Sequence, residues 1–345
     1  MHIPHLAPLI IGLSLVTAQP QSSTPELIRA ALPAVVRIEG TPTFAPEVSG
    51  PIWGSGFFYH PSRVITNYHV VEGMSNLKIT LNNGQSYPAQ AYAVDRGIDI
   101  AILNVEGVQA PAVLQLSDSA SFNPGEPVLA LGSPYGEVTL VSSGIISGVG
   151  SFAFYEQFGD PEVGSEIYSI LYTDAHIEPG YSGGPLLNQS GQVVGVIDAV
   201  LGGLAGVAGI GIAIPAAQVL ESTKDLERYG APQRGWLGAT LVGLSDLDPL
   251  LLNLAGLSQP QGTMVEEVET GSPAEAAGLK AATRDRFGKL VALGDVILAV
   301  NGQAVDSPLA VTRMVAKQRA GETVSLTLWR EQKQVELPLK LLPRP

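Results

Sequence analysis

The chain has 345 residues, 45% of them hydrophobic and 15% charged, which allows two or three domains with full cores. It contains no cysteine, so disulfides, a thiolate nucleophile and cysteine-built zinc sites are excluded and any nucleophile must be an oxygen. The net charge of −13 arises in residues 19–233, which carry 7 basic and 20 acidic side chains, against 12 of each in 234–345. Such a field disfavours nucleic acid and anionic lipid as partners, favours unfolded or cationic polypeptide mildly, and also serves solubility.

Taken in order, residues 1–18 read as an export signal. Leu6 to Val16 is apolar but too short to span a bilayer, and Val16-Thr17-Ala18 offers small residues for cleavage before Gln19. The start carries His2 and His5 but no lysine or arginine, so an uncleaved membrane anchor is the alternative. Ser23-Thr24-Pro25-Glu26 supplies a cap, a proline for the first turn and an early acid, predicting a helix over 25–32. From Ala34 to about Ile214, short β-branched runs recur between glycines and prolines, as at 56–59, 63–66, 77–81, 100–103 and 128–131. That spacing predicts a mainly β fold of two barrels, about 34–122 and 125–215, with a break near Asn123-Pro124-Gly125. Residues 202–211 read as a glycine-rich loop before the strand Ile212-Ala213-Ile214, and Ala216 to Tyr229 has helical spacing. A connector over 223–233, closed by Gly230-Ala231-Pro232, separates a first domain (19–222) from a second (234–345).

The chemistry is placed in Glu178-Pro179-Gly180-Tyr181-Ser182-Gly183-Gly184-Pro185, where glycines around one hydroxyl allow a sharp turn and a close substrate carbonyl. The amides of Gly180 and Ser182 are suited to a developing oxyanion. Gly-x-Ser-x-Gly also marks the elbow of α/β-hydrolases, and an ordinary turn has the same look. The elbow requires a helix after the serine, whereas here a hairpin pattern follows through Leu186-Leu187 and 192–197. Strand context suits the two-barrel serine proteases, whose order is His, Asp, Ser. Outside the presumed signal the candidate bases are His60, His69 and His176. His69, in Thr66-Asn67-Tyr68-His69-Val70-Val71, could equally be a core histidine. A partner that fixes its tautomer is Asp99, which lies in the apolar run 98–103 and would need a cationic or hydrogen-bonding neighbour once buried. Asp95, beside Arg96, reads as a solvated turn residue or a surface ion pair.

These segments carry a family resemblance. Gly54-Ser55-Gly56-Phe57, Thr66-Asn67-Tyr68-His69-Val70-Val71, Asp99-Ile100-Ala101-Ile102-Leu103, Leu131-Gly132-Ser133-Pro134, Thr173-Asp174-Ala175, Gly180-Tyr181-Ser182-Gly183-Gly184 and Gly209-Ile210-Gly211-Ile212 resemble, in order, the motifs of the HtrA/Deg serine proteases. The resemblance implies a chymotrypsin-like double β-barrel with His69, Asp99 and Ser182 as the triad, an oxyanion hole from the Gly180 and Ser182 amides, and a pocket involving His176 and Ile212. It also implies a C-terminal PDZ domain, whose carboxylate-binding loop would be Trp236, Leu237, Gly238 and Ala239, with Asp306-Ser307-Pro308 capping a groove helix that runs to about Lys317. Residues 280–291 look like the insertion of the plant and cyanobacterial branch. His176, Glu178 and Tyr181 stand where the family usually has Ala, Asn and Asn.

What the resemblance implies is an exported, ATP-independent endopeptidase acting on unfolded or damaged polypeptides. It would carry one PDZ domain for C-termini or apolar segments, form a homotrimer, work in the periplasm or another exported space, and have no membrane span after signal cleavage. No cofactor or metal is expected. A non-proteolytic chaperone or scaffold built from the same domains is the alternative.

Overall fold

The computed structural model describes residues 23–43, 52–119, 121–134, 138–151, 169–201, 209–247, 252–253, 256–257 and 261–344. The expected signal, and most of the expected loop at 202–211, lie outside them. Helix α1 (Thr24–Ala31) begins as its sequence suggests, with the Glu26 carboxylate accepting hydrogen bonds from the backbone N–H and hydroxyl of Ser23 at 3.0 and 2.9 Å.

Two antiparallel barrels follow. The first contains β1 (Val35–Pro42), β2 (Ile52–His60), β3 (Arg63–Asn67), β4 (Met74–Leu81), β5 (Ser86–Asp95) and β6 (Ile100–Val105), closed in the order β1-β2-β3-β6-β5-β4. The second contains β7 (Pro127–Gly132), β8 (Leu140–Ser151), β9 (Ser169–Thr173), β10 (Pro185–Leu187), β11 (Val193–Leu201) and β12 (Ile210–Pro215), closed in the order β10-β11-β12-β9-β8-β7. Both faces of β2 and β3 are buried at Phe57–Phe58 and Val64–Ile65, which is why apolar residues succeed one another there instead of alternating with polar ones. Phe58 pairs with Val64 and both fill the first barrel, while Phe57 pairs with Ile65 and both face the second. That outer layer joins Ile100, Leu131, Leu187 and Val196 in the core between barrels. Burial on two faces fixes the register of the strands that carry the site.

Helix α3 (Ala216–Tyr229) stops at Gly230, which takes a left-handed φ of 75°. It buries Val219 in the core between barrels and Leu226 against Ala93 and Ile102. Residues 223–229 of the expected connector are therefore helix, because the apolar face of the helix continues to Leu226.

The second domain is a sheet of β13 (Ala239–Gly243), β14 (Thr263–Val268), β17 (Val296–Val300), β19 (Thr323–Arg330) and β20 (Lys333–Lys340), with β18 (Gln303–Ala304) on β17. Helices α4 (Pro273–Ala277) and α5 (Pro308–Ala316) pack on it around Val265, Ile297, Val311 and Leu326. Ser307 caps α5 by accepting the Ala310 N–H at 3.4 Å. Residues 280–291 form much of a small hairpin of β15 (Thr283–Arg284) and β16 (Leu290–Ala292), whose turn is held by the Asp285 carboxylate.

Asp95 corrects the expectation of a solvated residue. It is fully buried at the end of β5, under α3, where Arg234 Nη1 donates to both carboxylate oxygens at 2.9 and 2.7 Å and Ser222 Oγ donates at 2.5 Å. Arg319 Nη2 similarly reaches the buried Asp225 of α3 at 2.6 Å. Two arginines of the second domain thus neutralise two buried carboxylates of the first. Desolvated charge demands such partners, which sequence neighbours alone do not reveal.

Candidate active site

His69 lies on a single helical turn, α2 (Tyr68–Val71), that follows β3. Asp99 lies at the start of β6, the neighbour of β3, with a left-handed φ of 54°. This conformation, tolerable for aspartate, turns its carbonyl to the Tyr68 N–H at 3.1 Å and the Asn67 side-chain amide at 3.0 Å. Its carboxylate faces the histidine. Oδ1 accepts the His69 backbone N–H at 2.8 Å and Oδ2 lies 2.5 Å from His69 Nδ1. Asp99 is buried, whereas the His69 side chain is 43% exposed, so one ring edge stays open to an incoming group. Burial disfavours the charged ring, but the Asp99 carboxylate, joined by the more distant acids Asp198 and Glu72, holds His69 above its ordinary pKa.

The loop carrying Ser182 is fastened to the first barrel through Ser55. Ser55 N donates to Ser182 O at 2.8 Å, and Ser55 Oγ donates to Gly180 O at 2.6 Å while accepting the Ser133 N–H at 2.8 Å. At Gly183 φ is 85°, and a β-carbon there would overlap the Ser55 carbonyl oxygen and the Thr66 hydroxyl, so glycine alone fits. Within the loop the amides of Tyr181, Gly183 and Gly184 donate to Glu178, Ile197 and Tyr181 carbonyls. Among the described residues no acceptor meets the amides of Gly180 and Ser182. The Ser182 hydroxyl donates to the Asp198 carbonyl at 2.9 Å rather than to His69. A carboxylate-held imidazole, a hydroxyl on a rigid glycine loop and two unused amides are the parts of acyl transfer.

The chain matches two family models: a trypsin-like peptidase domain over residues 54–196, which contains all three of these side chains, and a PDZ domain over 235–341. The chain is 34% identical over 301 residues to the "Probable periplasmic serine endoprotease DegP-like" of Chlamydia pneumoniae, covering 87% of this chain and 57% of that one. It is 31% identical over 294 residues to "Protease Do-like 1, chloroplastic" of Arabidopsis thaliana, covering 85% and 64%. A solved structure of the HtrA-type protease AlgW with a decapeptide superposes with a TM-score of 0.72 at 27% identity, covering 94% of this chain and 99% of that one. The chain belongs to the HtrA/Deg family. It spans less than two thirds of the length of the curated relatives just named.

Within this HtrA/Deg chain, His60 is exposed, and its Nδ1 accepts from the Ser62 N–H at 3.3 Å in the β2–β3 turn. His176 is exposed as well, with Nε2 3.0 Å from Glu178 Oε1. Tyr181 is 3% exposed with its ring packed on Gly132, and Ile212 of β12 is 1% exposed. Of the three unusual residues, the pair His176 and Glu178 therefore changes surface charge beside the loop, and Tyr181 changes packing beneath it.

One residue escaped sequence reading. Asp198 of β11 is 6% exposed, and its Oδ1 lies 3.8 Å from His69 Nδ1. The signal was present: a lone acid in the apolar run 193–200, the same cue that singled out Asp99. His69, Asp99 and Asp198 each offer one ligand atom within 4.8 Å of the others, but the first two are already hydrogen-bonded together.

In the PDZ domain, Gly238 takes a φ of 74°, and a β-carbon there would overlap Ser272. Its carbonyl accepts the Glu269 N–H at 3.0 Å, and the Leu237 carbonyl accepts the Ala274 N–H at 3.0 Å. Among the described residues no acceptor meets the Leu237 and Gly238 amides. Trp236 N donates to Leu342 O at 2.9 Å, and Ala239 begins β13, an edge strand of the sheet.

Proposed function

We propose that the chain is an ATP-independent serine endopeptidase that cleaves unfolded or damaged polypeptides and gathers them through its PDZ domain. The observation that carries this reading is the double grip of Asp99 on His69, through ring and backbone, beside a serine whose loop leaves the Gly180 and Ser182 amides unused. In the proposed reaction Ser182 Oγ attacks the scissile carbonyl while His69 takes its proton. The two amides hold the oxyanion, and His69 returns the proton to the leaving amine. Ile212 supplies apolar wall to the pocket for the preceding side chain, with His176 at its rim. The peptide-bound HtrA-type neighbour and the relatives' printed names support this reading. Incubation without ATP of an unfolded protein and of the same protein folded is the test. Fragments from the unfolded form alone are expected, whereas binding without fragments would favour the scaffold reading.

Activity should be lost on acidification, because the base must be neutral. His69 is held above its ordinary value, so the midpoint of kcat/KM against pH should lie above about 6.5. For stability the sign is opposite: the raised value favours the folded chain at acid pH, and that contribution disappears as pH rises through the folded midpoint. A midpoint below the ordinary value would contradict the Asp99 contact as the controlling charge.

For the PDZ domain we propose strand addition along β13, with a terminal carboxylate on the amides around Leu237, Gly238 and Ala239, and Trp236 packing beside them. A peptide with a free C-terminus should bind about tenfold or more tighter than its amidated form by calorimetry, given the usual strength of hydrogen bonds to a charge. Equal affinities would remove the carboxylate from the recognition. We further propose export directed by residues 1–18 and assembly as a homotrimer, which light scattering on the purified protein tests. Among the described residues no helix is long and apolar enough to cross a membrane.

A further inference from the structure

Asp198 occupies the register shift between Ile197 and Ala199, where β11 has one more residue than its partner β12. Such a bulge re-aims a side chain, here out of the ladder and into the site. Its backbone carbonyl holds the Ser182 hydroxyl at 2.9 Å, and its carboxyl lies 3.8 Å from the His69 ring nitrogen that Asp99 already occupies. A carboxyl oxygen of Asp198 lies within 4.8 Å of one of Asp99, and both residues are buried. The groups charged or titratable around them are His69 and, from the end of α2, Glu72, which acts on His69. Among the described residues neither carboxyl has a lysine or arginine partner. As an anion, Asp198 is only an acceptor, and its buried Oδ1 has no hydrogen bond. Two buried carboxylates facing one imidazole repel each other, whereas one added proton turns the contact into a donor and an acceptor. Burial and the Asp99 charge act in the same sense, pushing Asp198 well above the usual carboxylate range.

We propose that Asp198 is a positioning residue held as a carboxylic acid, donating its proton to the Asp99 carboxylate so that a carboxyl pair with a single negative charge orients His69. This rests on His69 and Ser182 being the base and nucleophile. The proton stays between the two aspartates through the cycle and no bond to substrate is involved. The bulge thereby couples both ends of the machinery, the carbonyl of Asp198 setting the resting serine and its carboxyl setting the ring.

The test compares wild type with Asp198→Asn and Asp198→Leu. Both variants keep the carbonyl that holds Ser182, so differences report on the carboxyl. Near neutrality the infrared difference spectrum of wild type minus Asp198→Asn should contain a carboxylic-acid carbonyl band. In the pH profile of inactivation by a fluorophosphonate, Asp198→Asn, whose amide still donates to Asp99, should keep the wild-type acid midpoint. Asp198→Leu, without a donor, should raise that midpoint and slow inactivation roughly 10- to 100-fold. No acid band, or an Asp198→Asn midpoint lowered by about one unit or more as loss of a nearby anion requires, would overturn the proposal. So would zinc retained by wild type and released by Asp198→Asn, which would make the three side chains a metal site. Wild type that never reacts with the fluorophosphonate would instead sink the underlying triad reading, while the infrared band would still report on the proton.

Discussion

Ser182→Ala is expected to leave both barrels folded and to reduce peptide hydrolysis by roughly 10⁴-fold or more. The substitution removes one oxygen whose hydrogen bond among the described residues is to the Asp198 carbonyl, so little structural support is lost. The loop remains fastened by Ser55, through backbone groups that alanine retains. Asp99→Asn should be nearly as damaging. An asparagine presents an amide where His69 Nδ1 now meets an acceptor, favours the wrong tautomer and gives no charge to the imidazolium. The two losses should not add, because both disable one unit. Turnover of a chromogenic peptide, with circular dichroism to confirm folding, measures this. Ser182→Ala at wild-type rate would require another nucleophile.

The largest expected loss of stability is at Arg234→Ala. Asp95 would remain fully buried with Ser222 Oγ as its remaining side-chain donor, and uncovering a buried ion pair from one side typically costs about 3 kcal/mol or more. Adding Asp95→Asn should recover much of that, because an amide tolerates burial better than an unpaired carboxylate. Urea unfolding followed separately in the barrels and in the PDZ domain, by the fluorescence of Trp53 and of Trp236 and Trp329, resolves where the loss falls. A barrel transition unmoved by Arg234→Ala would mean that the domain contact contributes nothing to the first barrel. The same pair complicates simple truncation. Deleting residues 234–345 removes the arginines that Asp95 and Asp225 use, so the truncated chain would lose stability as well as the proposed peptide binding.

The sequence carried most of the fold where both faces of a strand are buried. Runs such as 56–59, 63–66 and 100–103 are dominated by β-branched, aromatic and other apolar residues because one face fills a barrel and the other the seam between barrels. It was silent where strands are half-exposed: β8 (Leu140–Ser151) mixes serine and glycine with scattered apolar residues, and β5 (Ser86–Asp95) alternates weakly. The residues His69, Asp99 and Ser182 stood out because each is a polar group in a run too apolar or too glycine-rich to need it. Asp198 carried the same cue and went unused, since its closeness to His69 depends on a bulge that no local pattern announces. Asp95 was misread for the complementary reason. Arg96 is its neighbour in sequence, while its true partner, Arg234, is supplied by another domain.

We propose that Ser182 is a nucleophile activated by His69 and Asp99. Reaction with a fluorophosphonate followed by peptide mapping tests it most directly. One label per chain is expected, on Ser182, at a rate that falls with acidification and collapses in Asp99→Asn. A label on a different residue, or labelling of Ser182 that is indifferent to Asp99→Asn, would contradict it.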